Sequence, residues 1–227
     1  MPKEPRPRAN KAKKRFVEKE GRVMEAVSFC ARGDNKALSN LYKIKEGIKL
    51  KKISFEHVEG PYVWLKKFRN DKVAATVLGD NGVLSSFKAY EEFVNKNPGL
   101  GLKVNPKWWK GADGILAKMI GNKSPAANKL RKFLGMSEPM EEIFDEKKDR
   151  ELWRMLHEAK FKACPEFRDS LEAKRGKYIY EQDRHNGDTT KDPTWWGACF
   201  CKDGTFRGHN TMGEMLMAIR DDPPKDD

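Results

Sequence analysis

Apolar positions in this chain recur mainly at helical spacing. From Thr211 to Arg220, Met212, Met215, Leu216 and Ile219 fall at i, i+3, i+4 and i+7, which is one face of a helix. A longer helix is predicted from about Met140 to Ala163, with Ile143, Leu152, Met155, Leu156, Ala159 and Phe161 among its apolar positions and Pro165 as its stop. Shorter helices are predicted around Val73–Leu78, Ser85–Val94, Gly111–Ile120 and Pro125–Leu134, and a helical turn over Phe167–Leu171. Breakers such as Gly79-Asp80-Asn81-Gly82 and Asn97-Pro98-Gly99 separate them. Another helix starts after Ser54, with Phe55, Val58, Tyr62, Leu65 and Phe68 on one face and Gly60-Pro61 kinking its first turns.

Strand signals are fewer. Tyr178-Ile179-Tyr180 reads as a short strand, and Arg22 to Cys30 as a short amphipathic segment or a first strand. Alternating β-branched and basic residues around Glu46-Gly47 signal a hairpin. Arg184 to Asp192 reads as a polar loop, and no internal repeat or heptad pattern is present. Together these elements predict an α+β, predominantly helical fold: a single compact domain with a small β-sheet.

Composition fits one domain. The chain has 227 residues, 38% of them hydrophobic, and its 12 Phe, 6 Trp, 9 Met and 5 Tyr suffice for one core. No apolar run is long enough to span a membrane, and Met1-Pro2-Lys3-Glu4-Pro5-Arg6 lacks the apolar stretch of a secretory signal. Of the four cysteines, Cys30, Cys164, Cys199 and Cys201, only the last two are close, so neither a disulfide scaffold nor a structural zinc is expected. These features point to the cytoplasm or the nucleus.

Charge adds a second layer. The formal net charge is +12, and residues 1 to 15 hold seven basic side chains against Glu4 alone. The expected organisation is a disordered basic arm over residues 1–21, a domain over 22–221 with an insertion around 80–140, and an acidic tail over 222–227. The arm reads equally as a nucleic-acid-binding segment or as a solubilising one.

Three blocks carry a resemblance. The first is Leu38-Ser39-Asn40-Leu41-Tyr42 followed by Phe55-Glu56-His57. The second is Ala159-Lys160-Phe161, then Phe167-Arg168-Asp169-Ser170-Leu171 and Tyr178-Ile179-Tyr180-Glu181. The third is Trp195-Trp196-Gly197 and, after a loop, the run from Gly208-His209-Asn210 through Thr211-Met212-Gly213-Glu214-Met215-Leu216-Met217-Ala218-Ile219-Arg220. In this order they resemble the NADAR (YbiA-like) N-glycosidases, with Lys67-Phe68 set later than the family's Lys-Phe. A tryptophan that the family places before the long helix is replaced, with Phe144 nearby. The resemblance implies a mostly helical α+β domain and cleavage of a bond at the anomeric carbon of a ribosyl phosphate, either in riboflavin intermediates or in ADP-ribosylated guanine.

Such chemistry needs negative charge against an oxocarbenium-like carbon and a proton for the departing nitrogen. The resemblance makes Glu56 the first candidate for the acid/base or carbocation-stabilising role; otherwise it is an ordinary carboxylate at a helix start. Lys160 and Lys67 compete as an amine that attacks a ring-opened ribose, against the plainer roles of a snorkelling lysine or a phosphate clamp. Trp196 beside Gly197 is a candidate stacking face with close backbone approach, and one of the two adjacent tryptophans belongs to the core. Gly208 and Asn210 stand before the last helix, where they suit a phosphate or ribose, or where Asn210 simply caps the helix. Asn40, Glu181 and Asp192 complete the candidate ligand-binding set. His57, His157, His185 and His209 show no metal-ligand pairing, so no metal and no other cofactor is expected. The expected partners are ADP-ribose or a ribosyl phosphate, with nucleic acid on the basic arm and no membrane. A non-catalytic reader of ADP-ribose or nucleic acid is the alternative of another class.

Overall fold

The computed structural model describes residues 14–31, 33, 35–103, 112–141, 144–182, 195–201 and 203–225. In chain order the strands are β1 (Arg15–Lys19), β2 (Arg22–Phe29), β3 (Ile48–Leu50), β4 (Ile53–Phe55), β5 (Tyr178–Glu181), β6 (Cys199–Phe200) and β7 (Phe206–Arg207). The helices are α1 (Glu59–Lys67), α2 (Lys72–Leu78), α3 (Phe87–Lys96), α4 (Ile115–Ile120), α5 (Pro125–Leu134), α6 (Glu146–Ala163), α7 (Pro165–Glu172) and α8 (Thr211–Asp221).

The N-terminal arm is shorter than expected. β1 pairs antiparallel with β2 from Arg15↔Ala26 to Lys19↔Arg22, around Glu20-Gly21, which both have positive φ. Such a turn matches the right-handed twist of the strands it joins. The basic segment therefore gives way to sheet at residue 15 instead of residue 21, while residues 1–13 lie outside the described residues. β5 runs parallel to the other edge of β2, from Ala26↔Tyr178 to Phe29↔Glu181, giving the order β1-β2-β5. All seven helices from α1 to α7 lie in the crossover between those two parallel neighbours.

The lysine-rich segment forms a hairpin, shifted from its expected place. β3 and β4 pair from Ile48↔Phe55 to Leu50↔Ile53, so the turn is Lys51-Lys52, with Lys51 at a φ of 57°. Gly47 lies ahead of the hairpin, and Phe55 ends β4 instead of beginning a helix. The α-helix α1 begins at Glu59 and runs through Gly60-Pro61, where a kink or a 3₁₀ entry was expected, and its first turn shows how. The Asn40 carbonyl accepts from the Val58 and Glu59 N–H groups. His57 Nδ1 accepts from the Gly60 N–H at 2.9 Å. Pro61 then falls where its missing N–H leaves nothing unsatisfied.

α6 starts later than its apolar spacing suggests. Asp145 accepts from the Lys148 N–H at 3.1 Å and caps the helix, so the segment from Met140 to Phe144 precedes it. Its buried face is Trp153, Leu156, His157 and Lys160, whereas Met155 is 41% exposed. Sidedness in β5 follows the pleat: Ile179 enters the main core, while Tyr178 and Tyr180 pack with Ala198 and Phe200 in a second cluster. α8 lies so close to β5 that a Cβ on Gly213 would meet the Ile179 carbonyl oxygen at 2.3 Å. Met212, Met215, Leu216 and Ile219 are buried along it, as their spacing predicts. Within the 80–140 region, Arg131 is fully buried and donates to the Ile120 and Asn122 carbonyls at the end of α4. No helix among the described residues is long and apolar enough to cross a membrane.

Candidate active site

The turn carrying Ser39 and Asn40 is fastened to α6 by two buried side chains. His157 and Lys160 lie one turn apart on the helix, and Trp153 lies one turn before them, so all three share a face. The Lys160 ammonium donates to the Ala37 carbonyl at 2.7 Å and to the Ser39 carbonyl at 2.8 Å. Its Nζ also stands 4.5 Å from the centre of the Phe167 ring and 5.8 Å from that of Tyr42. Burial pushes Lys160 down to about 7, while the carbonyls and the ring faces act the other way by favouring the ammonium. Lys160 is fully buried, and in this geometry it is a strut holding the 37–40 turn.

His157 is equally enclosed. Its Nδ1 lies 2.8 Å from the Trp153 carbonyl and its Nε2 lies 3.0 Å from the Asn40 side-chain amide. Burial, with the Lys160 charge beside it, lowers His157 to about 3, so the ring is neutral. Asn40 itself is half-buried, and its backbone carbonyl receives the first N–H groups of α1. One turn of chain thus joins α6 to α1.

Glu56 sits on the same stretch, two residues before the Val58 N–H that bonds Asn40. Its Oε2 lies 3.0 Å from Lys43 Nζ, close enough for an ion pair. That oxygen is buried, and the Lys43 ammonium is the charge set against it. His57, next to it, is structural. Burial lowers it to about 4, and its Nε2–H faces the Leu84 carbonyl without closing a full hydrogen bond.

The third block arrives from the other end of the chain. Trp196 packs edge-on against Trp153, with ring centres 5.9 Å apart, and against Trp195 at 4.6 Å. Phe144, 51% exposed, closes the group with edge contacts to Trp195 at 5.2 Å and Trp196 at 6.4 Å. Trp195 and Trp196 are both half-buried, so neither is wholly core. Gly197 is buried directly behind them.

The start of α8 is occupied by protein. The Asn210, Thr211 and Met212 N–H groups donate to the Gly197, Trp195 and Trp196 carbonyls. The Asn210 side chain is fully buried. It donates to the Ile179 carbonyl at 2.8 Å and accepts from the Glu181 N–H at 3.1 Å. Asn210 therefore neither faces a ligand nor caps the helix with its side chain, and it ties β5 to α8 instead. Gly208 is exposed at a φ of 113°. Glu181 is half-buried at the end of β5, and Asp192 lies outside the described residues.

Lys67 goes elsewhere. It is half-buried at the far end of α1 and lines a cleft of about 360 Å³ with Gly121, Asn122, Lys123, Pro139, Met140 and Glu141. The structure therefore brings Asn40 against α6 through His157, ties Lys160 to the 37–39 turn, packs Trp196 on the same helix through Trp153, pairs Glu56 with Lys43, and sets Lys67 apart. Trp153 and His157 are the residues that sequence reasoning missed. Their i, i+4 spacing, with Lys160 three residues further on, was the signal available.

No known family profile matches the chain, and no curated protein matches it in sequence. Among solved structures it is similar to the NMR structure of the E. coli protein YbiA, at 18% identity over 86% of this chain and 83% of that chain, with a TM-score of 0.44. That overlap transfers no residue role to this chain.

Proposed function

We propose that this chain is an N-glycosidase that cleaves a ribosyl N-glycosidic bond, with ADP-ribose attached to guanine in nucleic acid as its substrate. The observation that carries the reading is convergence: the 38–42 turn, the 153–161 face of α6 and the 195–197 segment pack together across more than a hundred residues of chain. Asn40, Lys160 and Trp196 belong to the blocks on which the resemblance rests, whereas Trp153 and His157, which link them, do not. Glu56, which belongs to the first of the resembling blocks, offers a carboxylate whose buried Oε2 faces the Lys43 ammonium. A carboxylate in that state favours positive charge developing at an anomeric carbon and, in its protonated form, serves a departing nitrogen. Trp196, with Trp195 and Phe144 edge-on around it, supplies an aromatic surface of the kind that stacks on a nucleobase. Asn40 is placed for a ribose hydroxyl.

The formal charge of +12 supports a polyanionic substrate over a small one. The test is incubation with an oligonucleotide carrying ADP-ribosylated guanine and, separately, with the phosphorylated riboflavin intermediates, scoring released base and sugar. Release from the oligonucleotide, lowered about 100-fold or more by Glu56→Gln, is the expected result. Turnover only of the small intermediates removes the nucleic-acid substrate. No turnover of either, with ADP-ribose still bound, makes the chain a reader.

A further inference from the structure

Asn40 Oδ1 is set 3.0 Å from His157 Nε2, and the protonation of the ring decides whether the amide keeps that orientation or turns over. The two ends of a carboxamide have the same shape, so hydrogen-bond partners determine which one faces the ring. The other ring nitrogen settles the matter. His157 Nδ1 lies 2.8 Å from the Trp153 carbonyl, which only accepts, so Nδ1 carries a proton. A second proton on Nε2 would make an imidazolium in a fully buried position, one helical turn from the Lys160 ammonium. Two like charges without a carboxylate between them are costly in a dry interior. The ring is therefore neutral and Nε2 offers a lone pair. With Oδ1 toward it, two acceptors would face each other. With Nδ2 toward it, an N–H donates to the lone pair and both ring nitrogens are satisfied.

We infer that His157 fixes Asn40 with its Nδ2 inward and its carbonyl oxygen outward, so that the candidate site presents an acceptor at this position and selects a ligand that brings a hydrogen-bond donor. The outward end of Asn40 has no partner among the described residues, and the residue is half-buried at the junction of α1 and α6. For a ribosyl substrate the matching donor is a sugar hydroxyl. A phosphate oxygen, which only accepts, is repelled there. His157 is a positioning residue, acting through Asn40. The choice of a ribose hydroxyl rests on the glycosidase reading; the amide orientation does not.

Histidine nitrogen NMR on the full chain, free of ligand, tests the orientation. The expected spectrum for His157 at neutral pH has Nδ1 protonated and Nε2 bare, with a nuclear Overhauser contact between the Asn40 amide protons and the His157 Cε1 proton. A ring protonated on Nε2, singly or doubly, overturns the inference. ADP-ribose is the ligand probe. The expected outcome is that the contact between the Asn40 amide protons and His157 persists at saturation, and that His157→Phe, which keeps an aromatic ring but removes the acceptor, weakens ADP-ribose binding about tenfold. Loss of that contact in the ADP-ribose complex, with the amide protons moving to the ligand, overturns the selection of a donor. Absence of ADP-ribose binding to the wild type defeats the glycosidase reading alone, because the ligand-free spectrum still decides the orientation.

Discussion

A buried lysine makes the folded state sensitive to pH in an unusual direction, and Lys160→Met isolates it. Burial lowers Lys160 to about 7 from its usual 10.5, while the unfolded chain keeps the ordinary value. At low pH both states hold the proton, and the folded state bears the full cost of a desolvated ammonium. As pH rises through the folded value, the native amine sheds its proton while the unfolded one keeps it, so stability increases. Between about pH 6 and about pH 9 a shift of that size adds roughly 2 to 3 kcal/mol. The carbonyls of Ala37 and Ser39 hold the charged form more firmly than the neutral one. That preference draws the gain down toward about 1 kcal/mol over the same range. Burial raises Cys164, Tyr42 and Tyr90, so their titration falls toward or beyond the top of this window. Urea unfolding of wild type and Lys160→Met at both pH values gives the result as a difference. The expected gap between them widens by about 1 to 3 kcal/mol in favour of the wild type as pH rises. A gap that stays constant, or narrows, refutes the account. Should the variant not fold, direct NMR titration of lysine Nζ in the wild type must show one amine titrating well below the rest.

Gly213→Ala should destabilise strongly, because the new Cβ falls 2.3 Å from the Ile179 carbonyl oxygen and 2.4 Å from Asn210 Oδ1. A loss of at least about 2 kcal/mol in urea unfolding is expected, and a neutral result would mean that α8 does not seat on β5 as described. Asn210→Ala removes the two hydrogen bonds that Asn210 makes to β5 and leaves a residue with a Cβ at a φ of 54°. It should cost about 2 to 4 kcal/mol, with Asn210→Gly relieving only the backbone part. Deleting residues 1–13 should leave free ADP-ribose binding unchanged and weaken binding to a modified oligonucleotide, with a shallower salt dependence. Equal oligonucleotide affinity with and without the segment would make it a solubilising tail.

Helices whose ends carry strong local signals were legible in the sequence. Asp71, Ser86 and Ser124 each accept from the N–H three residues on, at the starts of α2, α3 and α5. Elements that depend on distant chain were not. The start of α1 is set by the Asn40 carbonyl, eighteen residues before Val58, so the breaker dipeptide Gly60-Pro61 gave the wrong forecast. β1 is polar enough to read as an arm, and only pairing with β2 makes it a strand. The α6 face was misjudged because its buried positions include His157 and Lys160, which apolar periodicity passes over, while Met155 is largely solvent-facing. The site follows the same division. Glu56, Asn40 and Trp196 were proposed from local motifs. The commitment of the Asn210 amide to β5, and the pairing of Asn40 with His157, depend on contacts across 31 and 117 residues that no local pattern encodes.

The environments of the two candidate lysines bear on how a glycosidic bond would be broken here. An amine that attacks the carbon of a ring-opened ribose must approach within about 3 to 3.5 Å with a free lone pair. Lys160 meets neither condition. It is fully buried, its Nζ is bonded to two carbonyls, and the Phe167 ring lies 4.5 Å away. Lys67 is half-buried on the wall of a cleft of about 360 Å³, where a ligand has room to reach it. Borohydride added during turnover of ADP-ribosylated oligonucleotide reduces any imine to a stable adduct that mass spectrometry locates. No adduct on Lys160 is expected. An adduct there would mean that the 37–40 turn opens during the reaction, and would overturn its role as a strut. An adduct on Lys67 would move the chemistry to that cleft and leave Glu56 as a binding residue. Turnover without any adduct leaves water as the attacking group, with the Glu56 carboxylate as the acid/base group.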